Sequence, residues 1–299
     1  MLNLSRALLS DLICKSLTGL RVKDFHQLVL IFDQTLVSHF SSPSRQRKFG
    51  GGRKGRLMDS QKKLFFLLFY MKCYPTYDLA GFLWEVHRSR PQKWFQRYKG
   101  VLEKALDRSL VLPERKLHSV EEFLQRFPEV KDVMIDSTER KIRRPSHAKA
   151  RKKQYSGKQK AHTRKNTVMV DEKLRVLLVS PTKQGRLHDK KQADKCCFFH
   201  FLPPEVTTWV DTGFQGAQKL HPQVMIPKKR SKGQPPLSLP EKAENATIAG
   251  IRIVVEHAIA GIKRMSCLGL FRNHRKNGWD EDFFLLDAGI WNFHLQNNP

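Results

Sequence analysis

Val133-Met134-Ile135-Asp136-Ser137-Thr138-Glu139-Arg140 joins an apolar run to an acid and then to base. Its first three residues form a short apolar, partly β-branched run, which predicts a buried strand. The run ends on a carboxylate, Asp136. From Arg140 to Lys165 there follow 12 Lys and Arg residues and no Asp or Glu. The expectation is an acid at a strand end, facing the most cationic segment of the chain. Carboxylates at strand tips hold hard metal ions, and a cationic rim attracts a polyanion. A nucleic acid phosphodiester is the substrate class that fits both. The competing reading is that Asp136 caps a turn and the basic block is a solvated tail.

The composition agrees with a nucleic acid partner. The 299 residues carry 55 Lys and Arg against 28 Asp and Glu, a formal charge of +27, with 40% hydrophobic residues. That apolar content supports a folded core of about two domains rather than a disordered basic chain. A membrane surface is the lesser option for such a charge. The five cysteines are scattered and odd in number, and the adjacent Cys196 and Cys197 lack metal-ligand spacing. Neither a disulfide framework nor a structural zinc site follows, and a reducing compartment is expected. The most apolar run, Leu64 to Met71, is too short to span a bilayer, and no leader peptide is read at the N-terminus. The expected location is cytoplasmic.

Outward from Asp136, the N-terminal side reads as helices. Residues 1–57 form a helical region ending in the Gly-, Ser- and base-rich stretch 41–56, a linker or backbone-contacting arm. Residues 58–110 hold three helices with tight turns: Gln61 to Lys72 capped by Asp59 or Ser60, one opened by Pro75-Thr76, and one opened by Arg90-Pro91. A basic third helix suggests a helix-turn-helix DNA-binding unit, with a plain three-helix core as the equal alternative. On the C-terminal side, Thr163 to Val170 and Leu174 to Ser180 predict a hairpin, and His188-Asp189 opens a helix to about Phe199. Val206 to Val210 is another strand, also ending in an acid, Asp211. A long helix is expected from about Asn245 to Met265, and a last one from Phe283 to Leu295.

Strand, hairpin, helix, strand, helix, with acids ending the first and fourth strands, is the element order of an RNase H-like α/β domain. The span 128–296 is assigned to it: a mixed central sheet flanked by helices, preceded by the all-α helix-turn-helix-like domain. A third acid for such a site would lie on the long late helix, where Glu256 stands. The bland alternative for Glu256 is a surface pair with Arg252 one turn earlier. Asp189 reads as the N-cap of its helix rather than as a further ligand.

Several segments, in order, resemble bacterial insertion-sequence transposases of the DDE class, in the branch related to Harbinger-type nucleases. They are Ile135-Asp136-Ser137-Thr138-Glu139-Arg140, Tyr155-Ser156-Gly157-Lys158, His162-Thr163, Gly185 with His188-Asp189, Val210-Asp211-Thr212-Gly213-Phe214-Gln215-Gly216, and Arg252 through Arg264. The resemblance runs from about residue 50 to 295. It implies Asp136, Asp211 and Glu256 as the catalytic, metal-holding triad. The Arg-x3-Glu-x6-Lys pattern of such enzymes is met by Arg252, Glu256 and Lys263. Its usual Tyr three residues before the Arg is replaced by Ala249, and Leu83-Trp84 stands where Phe-Gly often precedes the third helix.

The resemblance further implies two Mg²⁺ ions, with Mn²⁺ able to substitute, about 3.5–4 Å apart, which activate water and stabilise the leaving 3′ oxygen. The freed 3′-OH then attacks target DNA. Arg143, Arg144, Lys158, Lys160, His162, Arg164, Lys165, Arg252 and Lys263 are the expected DNA contacts, each with a solvated or structural side chain as its alternative. The implied partners are double-stranded DNA, both the element's terminal inverted repeats and the target, and a second copy of the chain in a DNA-bound homodimer. The rival is a domesticated DNA-binding protein, or a nuclease of the same fold, that no longer transposes.

Overall fold

The computed structural model describes residues 3–41, 55–230, 233, 235–269 and 278–298. The expected basic arm at 41–56 falls mostly outside them. Two compact units divide the chain. One comprises 1–112, 263–270 and 282–299, and the other 113–262 and 271–281.

Among the described residues the first unit is all helical. It contains α1 (Leu4–Ala7), α2 (Asp11–Thr18), α3 (Val22–Phe40), α4 (Ser60–Cys73), α5 (Tyr77–Trp84) and α6 (Ser89–Arg108). Helix α4 begins at Asp59, whose carboxylate accepts from the Lys62 amide at 2.7 Å. Its residues from Lys63 to Met71 are buried without a break. A helix that is apolar all round belongs in the middle of a core. The aromatic contacts agree: Phe65 meets Phe25, Phe66 meets Trp84 and Trp94, and Tyr70 meets Phe95. Residues 1–57 and 58–110, separate in the sequence reading, thus fall in one unit. Arg108 ties α6 to α3 by donating to Thr35 and Ser38.

The second unit is a mixed α/β layer structure. In chain order it has α7 (Val120–Arg126), β1 (Asp132–Lys141), α8 (Ala148–Gln154), β2 (Tyr155–Ser156), β3 (Ala161–Asp171), β4 (Val176–Val179), β5 (Lys183–Gln184), α9 (Asp189–Lys195), β6 (Thr207–Val210), β7 (Val224–Met225) and α10 (Leu239–Lys263). The sheet runs β2-β3-β1-β6-β7, and β4 and β5 also pair with β3. β1 lies antiparallel to β3 and parallel to β6, which is parallel to β7. The remaining helices are α11 (Ser266–Gly269) and α12 (Trp279–Asn297).

Alternation along β1 sorts its side chains between the two faces. Val133 and Ile135 enter a core with Phe123, Met169, Leu178, Phe198, Phe199, Val210 and Phe214. Met134, Asp136, Thr138 and Arg140 point the other way. The hairpin turn between β3 and β4 is fixed by Asp171, whose carboxylate accepts from the amides of Lys173 and Arg175.

The structure corrects three expectations. Asp136 does not end its strand: β1 continues to Lys141, paired with β3 at every position from Val133↔Asp171 to Lys141↔Thr163. What ends beside Asp136 is the parallel pairing with β6, whose last partners are Ile135 and Val210. The helix from Asp189 stops at Lys195, short of Phe199. Cys197 takes a left-handed backbone, φ 56°, while the Cys197 and Phe198 amides donate back to Asp194 and Ala193. That is a Schellman closure made without glycine. Finally, α10 starts six residues before Asn245. Ser238 and Glu241 form a reciprocal capping box, Ser238 N–H donating to Glu241 at 2.9 Å and Glu241 N–H to Ser238 Oγ at 3.4 Å.

Among the described helices, α10 alone has the length and hydropathy of a membrane-crossing segment. Its residues Lys242, Glu244, Glu256 and Lys263 are exposed and Ile248, Val255, Ala258 and Ile262 are buried, which makes it amphipathic.

Candidate active site

The register of β1 and β6 builds the site. Since Ile135 pairs with Val210, the next residues on the two parallel strands are Asp136 and Asp211, both turned to the face opposite the Phe-rich core. Each carboxylate is steadied by the next amide. Ser137 N–H donates to Asp136 Oδ1 at 2.8 Å, and Thr212 N–H to Asp211 Oδ1 at 2.7 Å. The second bond caps a short 3₁₀ turn at Thr212–Phe214, the reason the chain bends away directly after the acid.

Arg252 of α10 faces this pair. Its Nη2 lies 3.9 Å from Asp136 Oδ2 and its Nη1 3.8 Å from Asp211 Oδ1. Only 9% of the residue is exposed. Burial pushes the Asp136 carboxyl up to about 6, and the Asp211 and Asp189 charges add to the rise, against the Ser137 amide and Arg252, which lower it. Asp136 is therefore a desolvated acid whose charge is only partly offset.

On the opposite face, a buried cation holds the neighbouring strands. Lys165 sits directly across β1–β3 from Glu139. Its ammonium lies 2.8 Å from Asp189 Oδ1 and 3.4 Å from Glu139 Oε1, and it also donates to the Leu187 carbonyl. Thr163 Oγ1 completes the group by donating to Glu139 Oε2 at 2.6 Å. Two glycines are required by this packing. A Cβ on Gly185 would fall 1.7 Å from Thr163 Oγ1, and one on Gly213 would fall 2.9 Å from Asp189 Oδ2. The close approach at Gly213 ties the loop after Asp211 to α9. Asp189 is consequently not the N-cap expected from sequence: His188 occupies that position, and the Asp189 carboxylate is committed to Lys165.

Glu256 stands elsewhere. It is exposed on α10, and among the described residues no group of three or more His, Cys, Asp or Glu side chains is gathered closely enough to hold an ion. Asp136 and Asp211 offer two carboxylates on one face, one of them desolvated, which is donor chemistry that a hard divalent cation can use with water and phosphate filling the remaining positions.

The expected DNA-binding residues divide by burial. Arg143, Arg144, Lys158 and Lys160 are exposed, as is Lys263 in the first unit, and His162 is half-buried. Arg164 pairs with Asp280 at 2.8 Å. Lys165 and Arg252 are buried against carboxylates. The sequence reading missed the Lys165–Glu139–Asp189 group as a unit. Its only linear signal was an acid beside a stretch counted for its cations.

The chain is similar to known proteins over the span that carries this geometry. Residues 135–279, which carry Asp136, Asp211 and Glu256, match the family described as DDE superfamily endonuclease. The chain is also 28% identical over 264 residues to the probable transposase for insertion sequence element IS702 of Microchaete diplosiphon, covering 87% of this chain and 89% of that protein. No solved structure matches at a significant level. The resemblance to insertion-sequence transposases of the DDE class is thus borne out.

Proposed function

We propose that the chain is a DDE transposase that cuts DNA at the ends of its mobile element and joins the freed 3′-OH ends to target DNA. The observation that carries this reading is the β1–β6 register, which sets Asp136 and Asp211 side by side on one face. The order β4-β3-β1-β6-β7, with the first three strands antiparallel and the last two parallel to β1, supports an RNase H-like catalytic domain.

In this reading Asp136 and Asp211 hold Mg²⁺ or Mn²⁺, and Glu256 is the third carboxylate, supplied by α10. A bound pair of such ions would supply charge stabilisation for water attack and for the leaving 3′ oxygen. The protein's own part is to orient. The Ser137 and Thr212 amides fix one oxygen of each acid, and the Lys165 group holds β3, β1 and α9 in register beneath them. The exposed cations Arg143, Arg144, Lys158, Lys160 and Lys263, with His162 and Arg164, bind phosphates. Helices α4 to α6 act as the DNA-binding unit, with Arg88, Arg90, Lys93 and Arg97 exposed at the start of α6 and just before it. Double-stranded DNA and a second copy of the chain are the partners, in the cytoplasm. The rival, a DNA-binding protein of this fold that has lost cleavage, draws on the exposed position of Glu256.

The deciding assay is nicking of DNA that carries the element's ends. Cleavage is expected with Mg²⁺ or Mn²⁺ and none in Ca²⁺ or EDTA, since Ca²⁺ accepts looser geometry. Full activity in EDTA would remove the metal-site reading. DNA binding without cleavage under any metal would favour the rival.

The basic segment makes a separate prediction. Neutralising Arg143, Arg144, Lys152 and Lys153 together, all exposed, weakens DNA binding and flattens its salt dependence. The slope of log affinity against log salt falls by roughly 0.9 for each phosphate that the variant no longer neutralises. An unchanged slope would make the segment a bystander.

A further inference from the structure

Arg252 matches the position of a phosphate-binding arginine, yet its guanidinium is turned inward. It bridges Asp136 and Asp211 at 3.9 and 3.8 Å, and its Nε is buried with no hydrogen-bond partner. Charge-assisted bonds from arginine to carboxylate are shorter, about 2.7–2.9 Å. The group therefore spreads one permanent positive charge over two acids and locks to neither. Adjacent strand positions bring the two carboxylates to one face, and the Asp211 charge raises the Asp136 carboxyl, so the like charges oppose each other. A buried cation opposite them offsets the repulsion, and its orphaned Nε marks a fit that is incomplete.

We propose that Arg252 is a built-in counter-ion, standing in for the divalent cation at the Asp136–Asp211 pair and yielding the position when that cation binds. The proposal rests on the metal-site reading given above. A divalent ion brings twice the charge of the guanidinium and binds carboxylate oxygens directly. The two cations then repel, and Arg252 must withdraw. Metal binding is accordingly opposed by Arg252, and the metal-free fold is supported by it. In this role Arg252 is a positioning residue acting through the two acids.

The test is Mn²⁺ titration of the full-length chain without DNA, by calorimetry, together with thermal unfolding in EDTA and in saturating Mn²⁺. Arg252→Gln, which removes the charge and keeps hydrogen bonding, is expected to bind Mn²⁺ about tenfold more tightly than the wild type. It should also unfold at a lower temperature in EDTA and regain the wild-type midpoint in Mn²⁺. Arg252→Lys, which keeps the charge, should stay close to wild type in both. A merely structural arginine predicts the opposite sign, weaker Mn²⁺ binding in a loosened site. Equal or weaker binding by Arg252→Gln overturns the proposal. If that variant folds only with metal present, release of Mn²⁺ to a chelator replaces the titration: slower release than wild type supports the counter-ion role, and equal or faster release overturns it. Asp136→Asn separates the two levels. If it binds Mn²⁺ like the wild type, the metal-site reading itself fails. If it no longer binds Mn²⁺ while Arg252→Gln binds no more tightly than wild type, only the counter-ion role fails.

Discussion

Asp136→Asn and Asp211→Asn are each expected to reduce DNA cleavage by several orders of magnitude while DNA affinity holds or rises. Both substitutions keep the shape of the side chain and its bond from the next amide, to Ser137 or Thr212. What they remove is one negative charge from the pair proposed to offset a divalent ion and fix its coordination. Less negative charge also repels phosphate less, so binding does not suffer. Cleavage assays and DNA titrations on the same preparations separate the two effects. Glu256→Gln belongs in the series because Glu256 is exposed and its replacement leaves the fold intact. A matching fall in cleavage would place Glu256 in the working site. Cleavage that survives Asp136→Asn and Asp211→Asn would remove the active-site assignment. Asp189→Asn is not a neutral change, since Asp189 answers the charge of Lys165.

Lys165→Met lowers unfolding stability by about 3–5 kcal/mol, the range for removing one partner from a buried ion pair. The Lys165 and Glu139 side chains are 7% and 8% exposed, so water cannot take over the missing charge at Glu139. Asp189 is 25% exposed and suffers less. Adding Glu139→Gln to Lys165→Met should recover a large part of the stability, because the stranded anion goes with the cation. Urea unfolding midpoints of the single and double variants measure this. A drop under about 1 kcal/mol for Lys165→Met, the range of solvated ion pairs, would show that water reaches the group.

The core of the α/β unit was legible because its strands carry the simplest signal, short apolar runs such as Val133–Ile135 and Val206–Val210 between polar turns. The second half of β1 was not. Ser137 to Lys141 looks like a loop because its partners across the sheet, including Asn166 opposite Thr138 and Lys165 opposite Glu139, are also polar. Their mutual satisfaction exists only once the strands pair. The same concealment affected Lys165, one cation among many in a line of sequence but a buried one in space. The start of α10 was readable in Ser238-Leu239-Pro240-Glu241, a capping box with proline in the first turn, where it is tolerated. Its basic, proline-rich surroundings hide that start, and the sequence reading begins the helix at about Asn245. Of the site, Asp136 and Asp211 could be named from the ends of apolar runs. The inward turn of Arg252 could not, because helical spacing puts Arg252 and Glu256 one turn apart on the same side of α10 without saying which one meets the sheet.

The helical unit is assembled from three separated pieces of chain, 1–112, 263–270 and 282–299. This sets an order of events during synthesis. At ~5–20 residues per second, the last piece appears roughly 10–40 s after the first is complete. In that interval Tyr74 and Phe95 lack Phe283, which packs on both with ring centroids 5.6 and 5.1 Å apart. The Val111 carbonyl likewise waits for Asn292, and the buried Asp24 for His294 and Asn298. The α/β unit, 113–262 with 271–281, can close while its helical neighbour is still open. A nascent chain interrupted before Asp282 therefore carries a finished sheet and an uncovered aromatic cluster, the kind of surface that draws chaperones or other chains.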